Sequence, residues 1–471
     1  LSDPLNMMKI ILTLILLCFM NTISSQNPFF ETYSTLHSTV PFDKIKTGDY
    51  VPAIREGIRR QNAEIEAIIR NPEVPTFANT VLAYEKSGEM LHRVSTVFGN
   101  LLSAETDDDL QELAKEIMPM MSEHENNISL NEELFARIKA VYEQQDKETL
   151  SPEQHKLLED IYNGFVRNGA NLLGEDKEKY RALCKELSLL TLQFSENNLK
   201  ETNDYKLVIT DKSQLAGLPE SAVEAAAETA GEKGVEGWVF TLQAPSYGPF
   251  LTYADSRDLR RELYMAYNTK CTHDNASNNL EIVKKLANVR MEIAQLLGYD
   301  NFAEYNLQER MAQNSESVYK LLDQLLEAYT PTAKQEYAEV QALARQAEGE
   351  DFVLMPWDWA YYSHKLKHRK FNIDDELLRP YFELNNVKQG VFGLATRLYG
   401  ITFKKNPDIP VYHKDVDAYE VFDKDGKFLA VFYTDFHPRA GKRSGAWMTS
   451  YKEQWIDEKT GENSRPHISI V

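Results

Sequence analysis

The chain has 471 residues, of which 42% are hydrophobic and 26% charged, and its formal net charge is −20 at pH 7. That length and apolar content suit a large globular protein with a sizeable buried core. Because so acidic a chain is repelled by phosphate backbones, its charge argues against nucleic-acid binding.

The first 25 residues predict a secretory signal peptide, together with a few residues upstream of its start. Lys9 is followed by apolar Ile10–Met20 and polar Asn21–Gln26, with small Ser24 and Ser25 where a leader is cut. A membrane anchor needs roughly 20 apolar residues, and this run is too short. We therefore expect a secreted or periplasmic protein without stable membrane insertion.

Residues 26–254 predict an N-terminal helical domain. Thr80–Leu102 is patterned as one helix. Ser151–Glu153 is typical of a helix start, with a serine N-cap, a first-turn proline and an acidic first turn. Short strands are predicted at Tyr205–Ile209 and Trp238–Leu242. Proline and glycine breakers follow the second strand and place the domain boundary there.

Residues 255–471 predict a second domain that is again mainly helical. An apolar stripe from Ile282 to Leu296 stops at Gly298, which is typical of a helix C-cap. A further stripe, Val318–Tyr329, leads to Pro331, where the helix should break or kink.

A β-hairpin is predicted near the end of this domain. Tyr419–Phe422 and Phe428–Phe436 read as its strands, and Asp423–Gly426 as the turn between them. A lone hairpin is unstable in water, so this one must pack against helices. A loop with proline and glycine breakers then leads to the short apolar run Ala446–Met448. The predicted fold class is mainly α with a small β-sheet.

Several motifs, in this order along the chain, resemble those of the thimet-oligopeptidase-like zinc metallopeptidases of family M3, and most of all its peptidyl-dipeptidase (Dcp) branch. They are Gly298-Tyr299-x-x-Phe302, Trp357-Asp358-Trp359-x-Tyr361-Tyr362, Tyr381-Phe382-x-Leu384-x-x-Val387, Leu398-Tyr399-Gly400-Ile401-x-Phe403, Phe432-Tyr433-x-Asp435, and the stretch Arg439, Gly441-Lys442-Arg443 and Ser444-Gly445-Ala446-Trp447.

The resemblance implies a two-lobed, multi-helical zincin-type peptidase with a small sheet near the floor of a deep channel. Such an enzyme would be a monomer that needs zinc, cuts short peptides and releases dipeptides from their C-termini. In that family the zinc-binding helix, with His-Glu-x-x-His, follows the segment that resembles Tyr419–Trp447. The sequence reaches Val471 without that motif, so we expect roughly the N-terminal two thirds of an enzyme, with an incomplete catalytic domain.

No zinc site can be assembled from the histidines in this sequence. Such a site needs two histidines four residues apart on one helix and a glutamate beside the first. His124 and Glu125 begin the pattern, but Ile128 stands at the fourth position, and an exposed helix face is the plainer interpretation. His364 and His368 have the spacing, but a lysine follows the first and the flanks are cationic, which opposes metal binding. We expect neither metal ligands nor catalytic residues in this chain.

Ser444, Gly445, Ala446 and Trp447 are the candidate substrate-binding residues. As an exposed edge strand they would pair with the backbone of a peptide, with Ala446 outward and Trp447 toward the core. The alternative is an ordinary interior strand, and the resemblance favours the edge. Trp357–Tyr362 could likewise line a peptide cleft or form a buried aromatic cluster.

Two classes of function stay open from the sequence. The first is the N-terminal part of a secreted zinc metallopeptidase, inactive by itself. The second is a non-catalytic peptide-binding protein without a zinc site. The coding sequence after Val471 separates them.

Overall fold

The structure, a computed structural model, describes residues 27–145, 149–457 and 460–471. The predicted leader, residues 1–25, lies outside them. The fold is mainly helical with a small β-sheet, which confirms the predicted class. No described helix combines the length and apolar character that crossing a membrane requires.

The α-helices of the described residues are, in chain order, α1 Tyr50–Ile69, α2 Leu82–Glu85, α3 Glu89–Ala104, α4 Asp108–Ser129, α5 Glu132–Glu143, α6 Pro152–Arg167, α7 Gly174–Asp204, α8 Glu220–Glu232, α9 Ala244–Tyr253, α10 Arg257–Asn268, α11 Leu280–Leu296, α12 Phe302–Leu307, α13 Ser315–Glu348, α14 Trp359–Phe371, α15 Asp375–Leu378 and α16 Leu384–Tyr399. Short 3₁₀ segments are Pro28–Phe30, Leu36–Ser38, Thr47–Asp49, Lys212–Leu215, Pro356–Asp358 and Arg379–Tyr381, and Phe77–Val81 is a π-turn.

The strands are β1 Leu207–Ile209, β2 Trp238–Phe240, β3 Thr402–Lys405, β4 Asp417–Phe422, β5 Phe428–Thr434, β6 Met448–Lys452, β7 Trp455–Ile456, β8 Asn463–Ser464 and β9 His467–Ile470. The main sheet has the order β3-β4-β5-β9-β6. All its neighbours are antiparallel except β5 and β9, which run parallel. The pairs β1-β2 and β7-β8 form two small sheets of their own.

The described chain divides into two compact units. The first comprises the described residues up to Arg181 together with Val391–Val471, and the second is Ala182–Gly390. The domain boundary at Ala254 was inferred from breaker residues rather than from contacts, and it stays a prediction.

In the first unit, local sequence explains most helix ends. Ser151 accepts a hydrogen bond from the backbone N–H of Gln154, so the predicted start of α6 is confirmed. The single helix predicted over Thr80–Leu102 is wrong, because Gly88 interrupts it at φ 76°. This left-handed conformation suits glycine, and a Cβ there would lie 2.4 Å from the Gln61 side chain. One apolar cluster joins α1, α5 and α6 through Ile65, Ile68, Leu134, Phe135, Ile138 and Phe165.

The second unit has a core of its own. Both predicted strands are confirmed as the shorter β1 and β2, which pack with α9 and α10 around Phe240, Phe250 and Leu263. Gly298 has φ 86° just beyond α11, as expected at a helix C-terminus. Of the break or kink predicted at Pro331, the break is wrong, because α13 continues through it to Glu348.

The predicted hairpin is confirmed as β4 and β5, joined by a turn in which Gly426 has φ 77°. The return strand ends at Thr434, two residues before the predicted end. Phe392 of α16 stacks on Phe403 of β3, with ring centroids 4.1 Å apart. The hairpin is therefore stabilised by a larger sheet and by helices, as its instability in isolation requires.

Candidate functional site

The candidate substrate-binding residues lie directly before β6. The predicted strand over Ser444–Met448 is wrong for its first four residues, because β6 begins only at Met448. Gly445 has φ 112°, which is outside the extended range of a strand. Ser444, Gly445 and Ala446 are exposed, and Trp447 is half-buried.

β6 is the outermost strand of the main sheet on the side of β9. The Trp447 N–H donates to the Val471 carbonyl over 3.0 Å, and the Val471 N–H returns a bond of 2.9 Å. Antiparallel strands alternate such bonded residues with residues whose backbone groups point away. The N–H and C=O of Met448 therefore point to the side of β6 where no described strand pairs with it.

The buried side-chain amide of Asn100, on α3, contacts side chains on one face of β6. Asn100, only 4% exposed, accepts a hydrogen bond from Thr449 Oγ1 over 3.0 Å and donates to the Tyr451 hydroxyl. Trp447 Nε1 lies 3.5 Å from the same Asn100 oxygen. These three residues occupy alternate positions, so they share a face of the strand. The Met448 side chain, at the position between Trp447 and Thr449, lies on the other face, where it is 62% exposed.

A buried ionic cluster anchors the loop before β6. Asp435, which is fully buried, receives two bonds from the Arg439 guanidinium, of 2.8 and 2.7 Å. It also accepts from Lys442 Nζ at 3.0 Å and from the Tyr412 hydroxyl at 2.7 Å. Burial alone would raise the pKa of Asp435, but these donors outweigh it and leave the pKa lowered. Two cations on one carboxylate compensate its buried charge.

The same loop closes the C-terminal end of α3. The Arg443 N–H donates to the Ser103 carbonyl over 2.9 Å, and Arg439 Nη2 donates to the Ala104 carbonyl. These are carbonyls that a helix end leaves without partners. The Thr106 N–H in turn donates to the Gly441 carbonyl over 2.8 Å. A Cβ on Gly441 would lie 2.5 Å from the Thr106 oxygen, so the approach requires glycine.

This arrangement is suited to binding an extended chain. Arg443 lies over the Trp447 ring, 4.3 Å from its centroid, beside the exposed main chain of Ser444–Ala446. Open backbone donors and acceptors on an edge strand suit the addition of an extended peptide. The described residues of this edge include no nucleophile next to a base.

The histidine pair at ligand spacing does not form a zinc site. His364 and His368 line a cavity of about 250 Å³ together with Asp255 and Lys365. Lys365 Nζ lies 4.0 Å from Asp255, so a cation occupies the approach to the nearest carboxylate. No three His, Cys, Asp or Glu side chains of the described residues are grouped to hold a metal ion. These residues therefore do not fit zinc.

His124 and two tyrosines of the Trp357–Tyr362 segment are buried. His124 was expected on an exposed helix face, which is wrong: it is 4% exposed and its Nε2 is 2.7 Å from Gln61 Oε1. Tyr361 and Tyr362 belong to a buried cluster, beside the buried ion pair of Asp358 with Arg260. For these two tyrosines the alternative of a buried cluster holds.

Comparisons with known proteins agree on one family. A model described as Peptidase family M3 matches residues 250–471. The dipeptidyl carboxypeptidase of Escherichia coli (strain K12) is 39% identical over 441 residues, which cover 93% of this chain and 64% of that protein. Oligopeptidase A of the same strain is 33% identical over 412 residues, covering 87% and 60%. A probable cytosolic oligopeptidase A of Arabidopsis thaliana is 33% identical over 441 residues, covering 91% and 61%.

The mainly helical fold with its small mixed main sheet agrees with the fold that the motifs implied. The chain belongs to peptidase family M3, as its motifs predicted. It spans less than two thirds of the length of these relatives.

Proposed function

We propose that this chain is the N-terminal part of an exported zinc metallopeptidase that cleaves short peptides and releases C-terminal dipeptides. The observation that carries the proposal is 39% identity over 441 residues to a dipeptidyl carboxypeptidase. That match extends over both compact units, well beyond the region that the family model covers. The zinc ligands and the general base would lie in polypeptide that the present sequence does not contain.

The coding sequence after Val471 gives the first test. A His-Glu-x-x-His within a few dozen codons supports the proposal, whereas an immediate stop codon favours a non-catalytic peptide-binding protein. The extended protein is then incubated with unmodified and C-terminally amidated peptides, and the products are identified by mass spectrometry. Successive loss of dipeptides from the free C-terminus is expected. Internal cleavage that ignores amidation would contradict dipeptide release.

We propose further that Ser444–Trp447 binds the substrate backbone in that enzyme. The N–H and C=O of Ala446, an exposed residue, would carry this role, since its side chain adds little steric bulk. Backbone pairing of this kind contacts few substrate side chains, so it suits peptides of varied sequence.

Ala446→Pro tests this role because proline removes the N–H without removing the pairing of Trp447 with Val471. Each lost hydrogen bond costs about 1 kcal/mol, so kcat/KM should fall roughly fivefold. Ala446→Ser keeps the donor and is the matched control, with circular dichroism to verify folding. An unchanged kcat/KM in folded Ala446→Pro would contradict the role.

Export is the remaining part of the proposal. The pattern from Lys9 to Ser25 supports cleavage near Ser25, which would leave Gln26 or Asn27 as the first residue. N-terminal sequencing of mature protein from the periplasm or medium measures this. Mature protein that still carries Met8 would contradict it.

A further inference from the structure

The first half of α13 carries an apolar face that the rest of the described chain leaves open. Every residue from Tyr319 to Tyr329 is exposed. Leu326 is 68% exposed and Tyr329 is 65% exposed. The far half of the helix is anchored in a core, where Val340 and Ala344 pack in a cluster with Tyr361 and Tyr362.

The exposed half is strongly amphipathic. At 100° per residue, its large apolar side chains fall on one side of the helix and cover about half of its circumference. They are Val318, Tyr319, Leu321, Leu322, Leu325, Leu326 and Tyr329. Lys320, Asp323 and Glu327 occupy the opposite side. Isolated exposed apolar residues are common on proteins, but a contiguous apolar face of this size marks an interface.

The relatives indicate what covers this face. This chain spans 64% of the Escherichia coli dipeptidyl carboxypeptidase and 60% of the oligopeptidase A from the same strain. Roughly a third to two fifths of each relative's polypeptide therefore lies outside the match. We propose, resting on the function proposed above, that the apolar face of Val318–Tyr329 is the docking surface for that remaining polypeptide of an M3 peptidase.

The chemistry of the face favours this occupant over two others. A second copy would bring together two chains of net charge −20, which repel each other. The apolar stripe is also wider than the narrow seam that pairs two helices, and it suits burial among several elements. A membrane surface favours helices with lysine and arginine on their polar side, whereas Glu316, Asp323 and Glu327 outnumber Lys320 here.

The test measures the accessibility of two single positions on α13. Leu326→Cys places a thiol on the apolar face, and Glu327→Cys places one on the opposite face of the same helix. The labelling rate with a fluorescent maleimide is measured for each variant in two proteins. One is the 471-residue chain. The other is the chain extended through its coding sequence or, if that stops at Val471, fused to the polypeptide of the Escherichia coli dipeptidyl carboxypeptidase that follows the residue aligned with Val471. The unsubstituted proteins give the background from native cysteines.

We expect the added polypeptide to slow labelling at position 326 by at least about tenfold and to change labelling at position 327 by less than about twofold, because thiol reactivity follows exposure. Equal labelling at position 326 in both proteins would overturn the proposal. So would protection at 326 already present in the 471-residue chain together with a dimer mass by light scattering, since a second copy would then cover the face. Peptidase activity is assayed on the same samples: protection without activity refutes the proposed function alone, and activity without protection refutes this inference alone.

Discussion

At the scale of single residues, the sequence did not single out Asn100, whose amide lies within hydrogen-bond distance of Trp447, Thr449 and Tyr451. Asn100 lies on the buried face of α3 with Val97 and Phe98, where the helical pattern leads one to expect an apolar side chain. A polar residue in that stripe was the available signal, because a buried amide needs partners. The sequence could not show that those partners are on β6, roughly 350 positions away.

His467 gives a prediction about pH. It is 2% exposed, and burial, with the charges of Lys452 and His37, lowers its pKa to about 3. An unfolded histidine has a pKa of about 6.5. Between these values the unfolded chain binds a proton that the folded chain excludes, so stability falls as pH falls. We expect His467→Gln to reduce this slope by up to about 1.4 kcal/mol per pH unit.

The measurement is urea unfolding at several pH values between about 6.5 and 4.5, within the window between the two histidine pKa values. His92, which is exposed, supplies the control His92→Gln. A slope for His467→Gln equal to that of the parent chain would show that His467 is protonated in the folded state.

At the scale of elements, local signals predicted what local interactions determine. The hairpin of β4 and β5 was visible because its turn dipeptide and its aromatic-rich return strand are adjacent in sequence. The parallel pairing of β5 with β9 was not, since a parallel partner can come from anywhere in the chain. The sequence predicted a strand from Ser444, whereas β6 begins at Met448. Nothing in the neighbouring residues indicates the positive φ of Gly445.

Gly441 gives a prediction for the loop that anchors the edge. Gly441→Ala places a Cβ against the Thr106 carbonyl oxygen and must displace the loop or α3. Overpacking of this kind costs about 1–3 kcal/mol. Gly99→Ala is the matched control on α3, because a Cβ there meets nothing within 4 Å and alanine favours a helix by up to about 1 kcal/mol.

The free energy of unfolding of both variants is measured by urea titration, and in the extended enzyme kcat/KM is measured as well. Gly441→Ala should lower both quantities, and Gly99→Ala should lower neither. Equal stability of the two variants would mean that the loop adapts to the added methyl group without cost.

At the scale of the whole molecule, motif order identified the family and composition indicated the class, but neither showed how the chain is partitioned. The second unit is an uninterrupted stretch, while the first is built from two separated stretches. The chain re-enters the first unit at Val391. Nothing in the sequence signals this boundary, because it falls inside the regular helix α16. Apolar periodicity likewise marked Val318–Tyr329 as a helix face, but it could not show whether that face is covered.

The last prediction concerns metal binding by the 471-residue chain. A structural or catalytic zinc site uses at least three protein ligands, and the described residues bring no such three together. Two histidines beside Lys365 are too few to retain the ion through purification. We therefore expect substoichiometric zinc in the dialysed chain by elemental analysis, and one zinc per molecule once the extended protein supplies a His-Glu-x-x-His helix. The control is the 471-residue chain with His364→Ala and His368→Ala. One tightly bound zinc in the unsubstituted chain that disappears in this double variant would place the metal at the histidine pair on α14.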